Sequence, residues 1–538
     1  MTETSPATNF TTIAGAAVSI PRGAFYGLVD RDFRETRVDN ITARAEHDFG
    51  GVTLRNTSRY GRSEQNYIWT QPDNQQGNVY GTDAAVPATA GGQVWRRINS
   101  RYGYAEGLIN QTDLFGTFAT GSFRHSFAAS AEFSTERARN GAYVSNPQLG
   151  TAISTGSTIV PRCTPAMLAR YNCTSAANPN PNDPWASYAS DTSSALAPIQ
   201  KSLAQTQTWT DTSTRAGSLF DTITITDELL INLGGRFDNY KTKVSPGLAA
   251  TSTAMRSTFK RDDDIWTYQA GIIYKPIPNA SLYASTSTAA TPPGAFLAQG
   301  QESNALNTTS QSITDALQIE RTTSYEIGGK IDLFEGQLAL TLAGFRTRTQ
   351  NARTTVENGV VAYIGKRRIN GVEFGANGNI TPEWNVFGGY TYMDANIVDG
   401  GITTTTVNGV AYFAPSVNTG KQFPNTPKHS LTAFTNYKVT PALTLGGGAI
   451  YMSKVYGGYS DTRVVTNGAV VVTRELARIA PAYWRFDANA AFAVTDRIQL
   501  QANVLNVANK RYFDRAYSAH YANQAAGRTA ILSLNVNY

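Results

Sequence analysis

Few residues in this chain could do covalent or metal chemistry. Its two cysteines, Cys163 and Cys173, lie ten positions apart in one polar segment rich in Pro and Asn. Nothing near them has zinc-ligand spacing, so they form either a local disulfide, which needs an oxidising compartment, or a pair of unpaired loop thiols. Four histidines, His47, His125, His429 and His520, leave few members for a catalytic triad or a zinc site. Asp262-Asp263-Asp264 carries charge enough for calcium but lacks the alternating oxygen-ligand spacing of a calcium loop, and reads as a solvated acidic loop. No G-x-S-x-G, H-E-x-x-H or phosphate-loop pattern occurs, so an enzyme is not expected and no cofactor held by protein ligands is implied.

The elements that would position any site follow from composition. Of 538 residues, 16% are charged, against roughly 25% in soluble domains. Mean hydropathy is nevertheless −0.30, because Thr, Ser, Asn, Gln, Gly and Tyr replace the missing charge. No run approaches the roughly 20 apolar residues of a spanning helix, and 11% aromatic residues argue against disorder. The net charge of +6 is scattered along the chain, which leaves nucleic-acid binding unsupported. Low charge with many small polar and aromatic residues suits a sheet with one face in lipid and the other in water.

Period-2 alternation supports that reading. Ala530, Leu532, Leu534 and Val536 alternate with Ser533 and Asn535; Trp484, Phe486 and Ala488 alternate with Arg485 and Asp487; Leu229, Ile231 and Leu233 continue to Phe237. About seventeen strands are predicted, from 34–47 and 52–62 through 97–119 and 264–275 to 527–538. Short turns alternate with long polar segments such as 62–96, 137–204, 242–263, 395–427 and 456–480. Strict short and long alternation is expected of an outer-membrane β-barrel. An odd count makes the first and last strands run the same way, from the long-loop side to the short-turn side, so an antiparallel closure between them is impossible. The predicted fold is therefore all-β: a transmembrane antiparallel β-barrel, incomplete, with residues 1–33 an extracellular loop remnant and 34–538 the barrel. The N-terminus lacks a basic stretch followed by an apolar one, so a chain missing its upstream part is the simplest expectation.

Several segments carry a resemblance. Asp264 to Ala295, with its strand, Lys275-Pro276 turn and second strand, resembles TonB-dependent outer-membrane siderophore receptors, most closely the branch that takes up ferric catecholates. Pro481 to Asp487, Asn503 to Phe513, Thr426 to Tyr437, Phe25 to Leu28 and Glu46 to Asp48 are similar, as is the closing strand that ends in Tyr538. The resemblance implies a bacterial outer-membrane barrel of about 22 strands around a plug. It also implies a ferric siderophore as transported substrate and the TonB complex as partner. A signal peptide, the TonB-contact segment, the plug and about five strands would be absent. A stand-alone porin-like channel is the alternative, and an outer-membrane hydrolase a third reading.

A ferric catecholate is a bulky, flat-faced trianion, and the resemblance implies Arg or Lys for its charge and Tyr or Trp for its rings. In the long segments the candidates are Arg139, Tyr143, Trp185, Lys260, Arg261 and Tyr521, with Arg170, Tyr171, Arg256, Tyr412, Tyr456, Tyr459 and His520 around them. Arg236, Asp238, Glu132 and Glu326 read as inner-wall charges that pair with the plug. Lys366-Arg367-Arg368 reads as facing the inner wall or lipopolysaccharide, on a strand approaching a turn.

Overall fold

Alternating residues commit the chain to long ladders, because a strand buries one face only while its neighbours keep register. The computed structural model describes residues 22–73, 79–80, 93–148, 151–152, 163, 173–175, 178–188, 195–293, 311–355, 361–516 and 522–537, and strand segments at 3–4, 9–11 and 17–19. Its main sheet has nineteen strands, two of them the two-residue segments Val79–Tyr80 and Thr174–Ser175, leaving seventeen long ones. In chain order these are β1 (Phe33–Asp48), β2 (Val52–Asp73), β3 (Gln93–Thr120), β4 (Phe123–Gly141), β5 (Thr208–Thr224) and β6 (Leu229–Ser245). They continue as β7 (Phe259–Ile277), β8 (Ala280–Thr291), β9 (Glu320–Leu333), β10 (Leu338–Thr355), β11 (Val361–Thr381) and β12 (Trp384–Asp399). The last are β13 (His429–Lys438), β14 (Leu443–Met452), β15 (Tyr483–Thr495), β16 (Ile498–Leu505) and β17 (Thr529–Val536). Each pairs antiparallel with the next.

Cross-strand registers sort the side chains into two faces. Leu233, Trp266, Tyr268, Ile272, Leu282, Ile327, Leu342 and Phe374 share the outer face with Phe486, Leu500 and Leu534, and all are exposed. Exposure of so many large apolar groups on one face is the lipid-facing band of a barrel. Tyr325 stands on this face toward its long-loop margin, where an amphipathic ring favours the interface.

Both sheet edges run toward the short turns. Among the described residues β1 is registered with β2 and β17 with β16, and no ladder joins β1 to β17. The sheet is open there, with parallel edge directions, as the odd count predicts. Apart from Phe33, every residue of β1 is exposed, since its second neighbour position is vacant.

Several strands up to β12 are longer than predicted, while β13 to β17 are slightly shorter. β3 has 28 residues, whereas crossing a bilayer takes about 9–11, so the predicted 52–62 and 264–275 are little more than the lipid-bounded parts of β2 and β7, and the predicted 97–119 already runs beyond that of β3. Beyond the bilayer lipid no longer fixes which face is apolar, and residues such as Ile68, Val94, Trp95 and Val244 are buried there, so alternation loses its cause and the extensions read as polar loops. Two of those polar segments also fold into hairpins, Ile402–Val407 with Val410–Pro415 and Val455–Thr466 with Ala469–Ala480. Asn408-Gly409 and Asn467-Gly468 turn them, with φ of 50° and 80°, and 52° and 77°. Positive φ at both central residues is the type I′ requirement that Asn-Gly meets.

The face assignment is testable at adjacent residues of β10. Leu342→Arg puts a guanidinium near mid-bilayer and is expected to cost ~2–4 kcal/mol of folding stability. Thr341→Arg, on the other face, should cost under ~1 kcal/mol. Urea titration of folding into lipid vesicles reads both, and equal costs would reverse the faces.

Candidate functional site on the inner wall and outer rim

On the inner face the polar positions left by alternation meet one another. Registers align Arg55, Asp113, Ser130, Ser218 and Arg236 on one rung across β2 to β6. Arg55 donates through Nε and Nη2 to Asp113 Oδ2 at 3.3 and 3.2 Å, while Ser130 Oγ and Gln111 Nε2 donate to Oδ1 at 2.6 Å. Arg236 Nη2 donates to Asp238 at 2.7 Å and to Glu132 at 3.3 Å. Below this network a recess of about 660 Å³ is lined by Arg55, Asp113, Phe115, Phe220 and Gln269. Half-exposed ion pairs contribute about 0–1 kcal/mol each, so the network matters more for its pattern of charge than for stability.

The sequence assignment of Arg236, Asp238 and Glu132 to the inner wall agrees with these registers. Glu326 is also on that face, but apart from them, where Tyr283 Oη donates to it at 2.6 Å. Arg55 and Asp113 were missed. Their signal was the alternation itself, since Leu54 and Leu114 beside them point outward.

At the outer rim, most cationic candidates are already engaged. Arg139 donates to Asp211 at 2.7 Å and Thr210 O at 3.1 Å, and lies 5.2 Å from the Trp209 ring on the other side of the sheet from the inner wall. Lys260 shares that outer face and is exposed; its backbone groups bond the Gln311 side chain. Arg261 faces inward, held by Asp263 at 2.7 Å and donating to Thr314 O at 2.8 Å. Tyr143 packs edge-on to Phe33 and Tyr102. Trp185 lies under the Arg31 guanidinium at 5.3 Å. Arg31 also bonds Thr70 and Asp32, and Asp32 accepts from Leu28 and Thr70 backbone N–H groups, so this tryptophan helps hold residues 22–33 on the rim. Burial holds the Arg31 guanidinium below its ordinary pKa, against the pull of Asp32. Tyr521, His520, Arg170 and Tyr171 lie outside the described residues. Cys163 and Cys173 are joined as a disulfide with Cα atoms 5.7 Å apart.

Three readings need correction. Asp262-Asp263-Asp264 is in β7, not a loop, because Lys241 at 2.8 Å, Arg261 and Asn239 take up its carboxylates. Contact with Lys241 holds Asp262 below the usual carboxylate pKa despite some burial. Arg256 is a clamp: it donates to the carbonyls of Ala204, Gln205, Gln207, Ser245 and Pro246 at 2.6–3.3 Å and stacks 4.2 Å from the Trp209 ring. Its pKa is lowered by burial and by Arg139. Lys366-Arg367-Arg368 lies on the long-loop half of β11, away from a short turn, with Arg367 and Arg368 on opposite faces.

Among the described residues no group of three or more His, Cys, Asp or Glu could hold a metal ion. The arrangement is instead a wall with a charged interior and an apolar exterior. The family model "TonB dependent receptor-like, beta-barrel" matches residues 3–507. The chain belongs to the TonB-dependent receptor family. That places it in the bacterial outer membrane. "Probable TonB-dependent siderophore receptor PiuA" of Acinetobacter baumannii is 35% identical over 97% of this chain and 64% of its own length. "Catecholate siderophore receptor Fiu" of Escherichia coli K12 is 27% identical over 96% of this chain and 61% of its own. The crystal structure of the siderophore receptor PiuA from Acinetobacter baumannii superimposes with a TM-score of 0.79 at 34% identity, covering 97% of this chain and 67% of that one. The chain thus spans less than two thirds of the length of these curated relatives.

Removing the clamp tests the rim. Arg256→Ala leaves several carbonyls without a donor and should destabilise residues 246–258 locally by ~1–3 kcal/mol, read as faster nicking by added protease while the barrel stays folded. Protection equal to the parent's would remove the clamp role. Unfolded but unreduced protein should show no labelled thiol; two labelled thiols per chain would remove the disulfide.

Proposed function

We propose that this chain forms the barrel wall of an outer-membrane receptor for ferric siderophores, catecholate type preferred, energised through TonB. Carrying this reading is the 35% identity over 97% of the chain to a protein named as a siderophore receptor, together with the likeness to a catecholate receptor. In this reading 34–538 is wall and 1–33 an extracellular segment. Supporting the second point, Val29 N–H donates to Pro181 O at 3.0 Å and Arg22 bonds Asn509, both on long-loop connections. Since both edge strands run the same way, closure by antiparallel pairing takes an odd number of further strands, about five if the barrel has about 22. A stand-alone porin would need a closed ladder, which the open edges do not favour.

The inner-wall charges suit a surface that docks a lumen-filling segment, while ligand charge is met at the rim. Arg261, inward-facing on β7, is the cation we assign to the anionic complex, with Tyr143 and Tyr521 proposed for its rings; Lys260 and Arg139, on the opposite face, and Trp185, under Arg31, are left out of that set.

Cells without other siderophore receptors, expressing the protein from its genomic reading frame, should accumulate iron from a ferric tris-catecholate and lose that uptake when TonB is deleted. Uptake of a ferric hydroxamate alone would overturn the catecholate preference; TonB-independent passage of small solutes would favour the porin. Arg261→Gln should raise the half-saturating concentration roughly tenfold, the weight of one charged hydrogen bond.

A further inference from the structure

On the outer face of β2 and β3 two polar rungs interrupt the apolar band. Leu54 stands opposite Leu114 and Tyr60 opposite Leu108, while between them Asn56 is registered with Thr112 and Ser58 with Asn110. The Asn56 rung continues as Ala45 of β1, Ala131 of β4 and Gly217 of β5, so five consecutive strands carry no aromatic or long aliphatic side chain there. Later strands are built otherwise. One outer-face rung from β10 to β15 reads Leu342, Phe374, Tyr390, Leu431, Tyr451 and Trp484. Crowding within the sheet does not dictate the difference, because a methyl group on Gly217 would meet nothing nearer than 3.9 Å.

Depth puts the polar rungs in hydrocarbon. On β3 the outer face runs from Leu108 to Phe118, both exposed, and about ten residues at ~3.4 Å each and ~40° tilt span ~26 Å, the height of a barrel's apolar band. Asn110 and Thr112 are inside that span. Asn56 Nδ2 donates to Thr112 Oγ1 at 2.8 Å and Asn110 Oδ1 at 3.3 Å, and Asn110 Nδ2 donates to Ser58 Oγ at 2.7 Å and Asn56 Oδ1 at 3.1 Å. These bonds use every amide proton. Both hydroxyl groups act as acceptors, and among the described residues neither hydroxyl proton has an acceptor of its own; each amide oxygen keeps a second lone pair. Two donors and two acceptors therefore remain where neither water nor acyl chains can take them.

We infer that this outer face, centred on β2 and β3, is the interface of a homodimer within the membrane. The four side chains are uncharged and their remaining donors and acceptors are equal in number, so the patch is complementary to itself, as a two-fold contact requires. An axis along the membrane normal lays β2 of one copy over β3 of the other, which brings each Ser58 hydroxyl to an Asn110 oxygen and each Thr112 hydroxyl to an Asn56 oxygen. Alanine and glycine on the flanks let the two sheets approach closely, as small residues do between membrane-spanning segments. The contact is on the lipid side and does not depend on which ligand the receptor carries.

The test follows energy transfer between donor-labelled and acceptor-labelled copies of the protein, expressed from its genomic reading frame, in phosphatidylcholine vesicles as lipid is added. Transfer by the parent should persist on dilution. Asn56→Leu/Ser58→Ala/Asn110→Leu/Thr112→Val should weaken association about fiftyfold, the weight of four hydrogen bonds at their average in membranes. Gly217→Leu, which keeps the network and blocks close approach, should weaken it as well, whereas Leu342→Ala/Phe374→Ala should leave it unchanged. Parent transfer that falls with dilution as chance encounter predicts would overturn the dimer. Equal association by parent and quadruple variant, or an equal loss in Leu342→Ala/Phe374→Ala, would overturn this face as its seat. Thermal unfolding in a detergent that keeps the protein monomeric supplies a second reading. There the quadruple variant should be at least as stable as the parent, since apolar groups suit the lipid face; a lower midpoint would mean that the polar rungs serve the barrel itself and would overturn the interface.

Discussion

Within hydrocarbon no water is available to a bare N–H or C=O, and this constraint governs the rest of the structure. Every residue that crosses must pair its backbone in a ladder, so the chain advances strand by strand as a meander with each strand beside the next. Side chains then have no freedom of face: one residue meets lipid, the following one the interior. Even polar groups on the outer face obey the rule by pairing locally, as Asn56 does with Asn110 and Thr112, and Asn110 with Ser58. The ladder leaves unanswered groups at β1 and β17, and their common direction decides which further strands could answer them.

This constraint also explains which elements were legible. All seventeen strands could be read from sequence because lipid forces alternation where it touches them, as in Leu500, Ala502 and Val504 against Gln501 and Asn503. Their outer halves could not. In β2, from Arg62 onward, lipid no longer fixes one face: Arg62 bonds Glu64 and Glu106, while Ile68 and Thr70 are buried. There the ladder continues on cross-strand bonding alone and no hydropathy pattern records it. The hairpins at 402–415 and 455–480 were legible in principle, since Asn-Gly pairs mark their turns; reading the segments as polar connections passed over that chemistry.

The site was legible by face but not by role. Alternation sufficed to put Arg236, Asp238 and Glu132 on the inner wall, whereas composition could not tell a ligand-binding arginine from a structural one. Arg256 shows why: its Nη1 and Nη2 serve five carbonyls at or beside the ends of strands β5 and β6, where the ladder stops and acceptors are left over. Any loop cation near a strand end can be recruited in this way. Arg31 and Trp185 are a second case, in which a cation and an aromatic ring that together suit a catecholate instead tie residues 22–33 to the rim.

Cations on both faces find acids within the sheet: Arg55 has Asp113, Arg236 has Asp238 and Glu132, and Arg485 has Asp487 on the inner face, while Arg139 has Asp211 and Lys241 has Asp262 on the outer. On the outer face of β10 and β11, Arg348 and Arg368 are directly opposite with no acid between them. At ~6 Å and an effective dielectric of ~20, two such charges repel by about 3 kcal/mol, comparable to what a core substitution costs. Alternation cannot explain that arrangement, because any small polar residue would satisfy the pattern at either position. Among the described residues no ion pair of the sheet answers these two cations, so their register is set by the ladder against their charge.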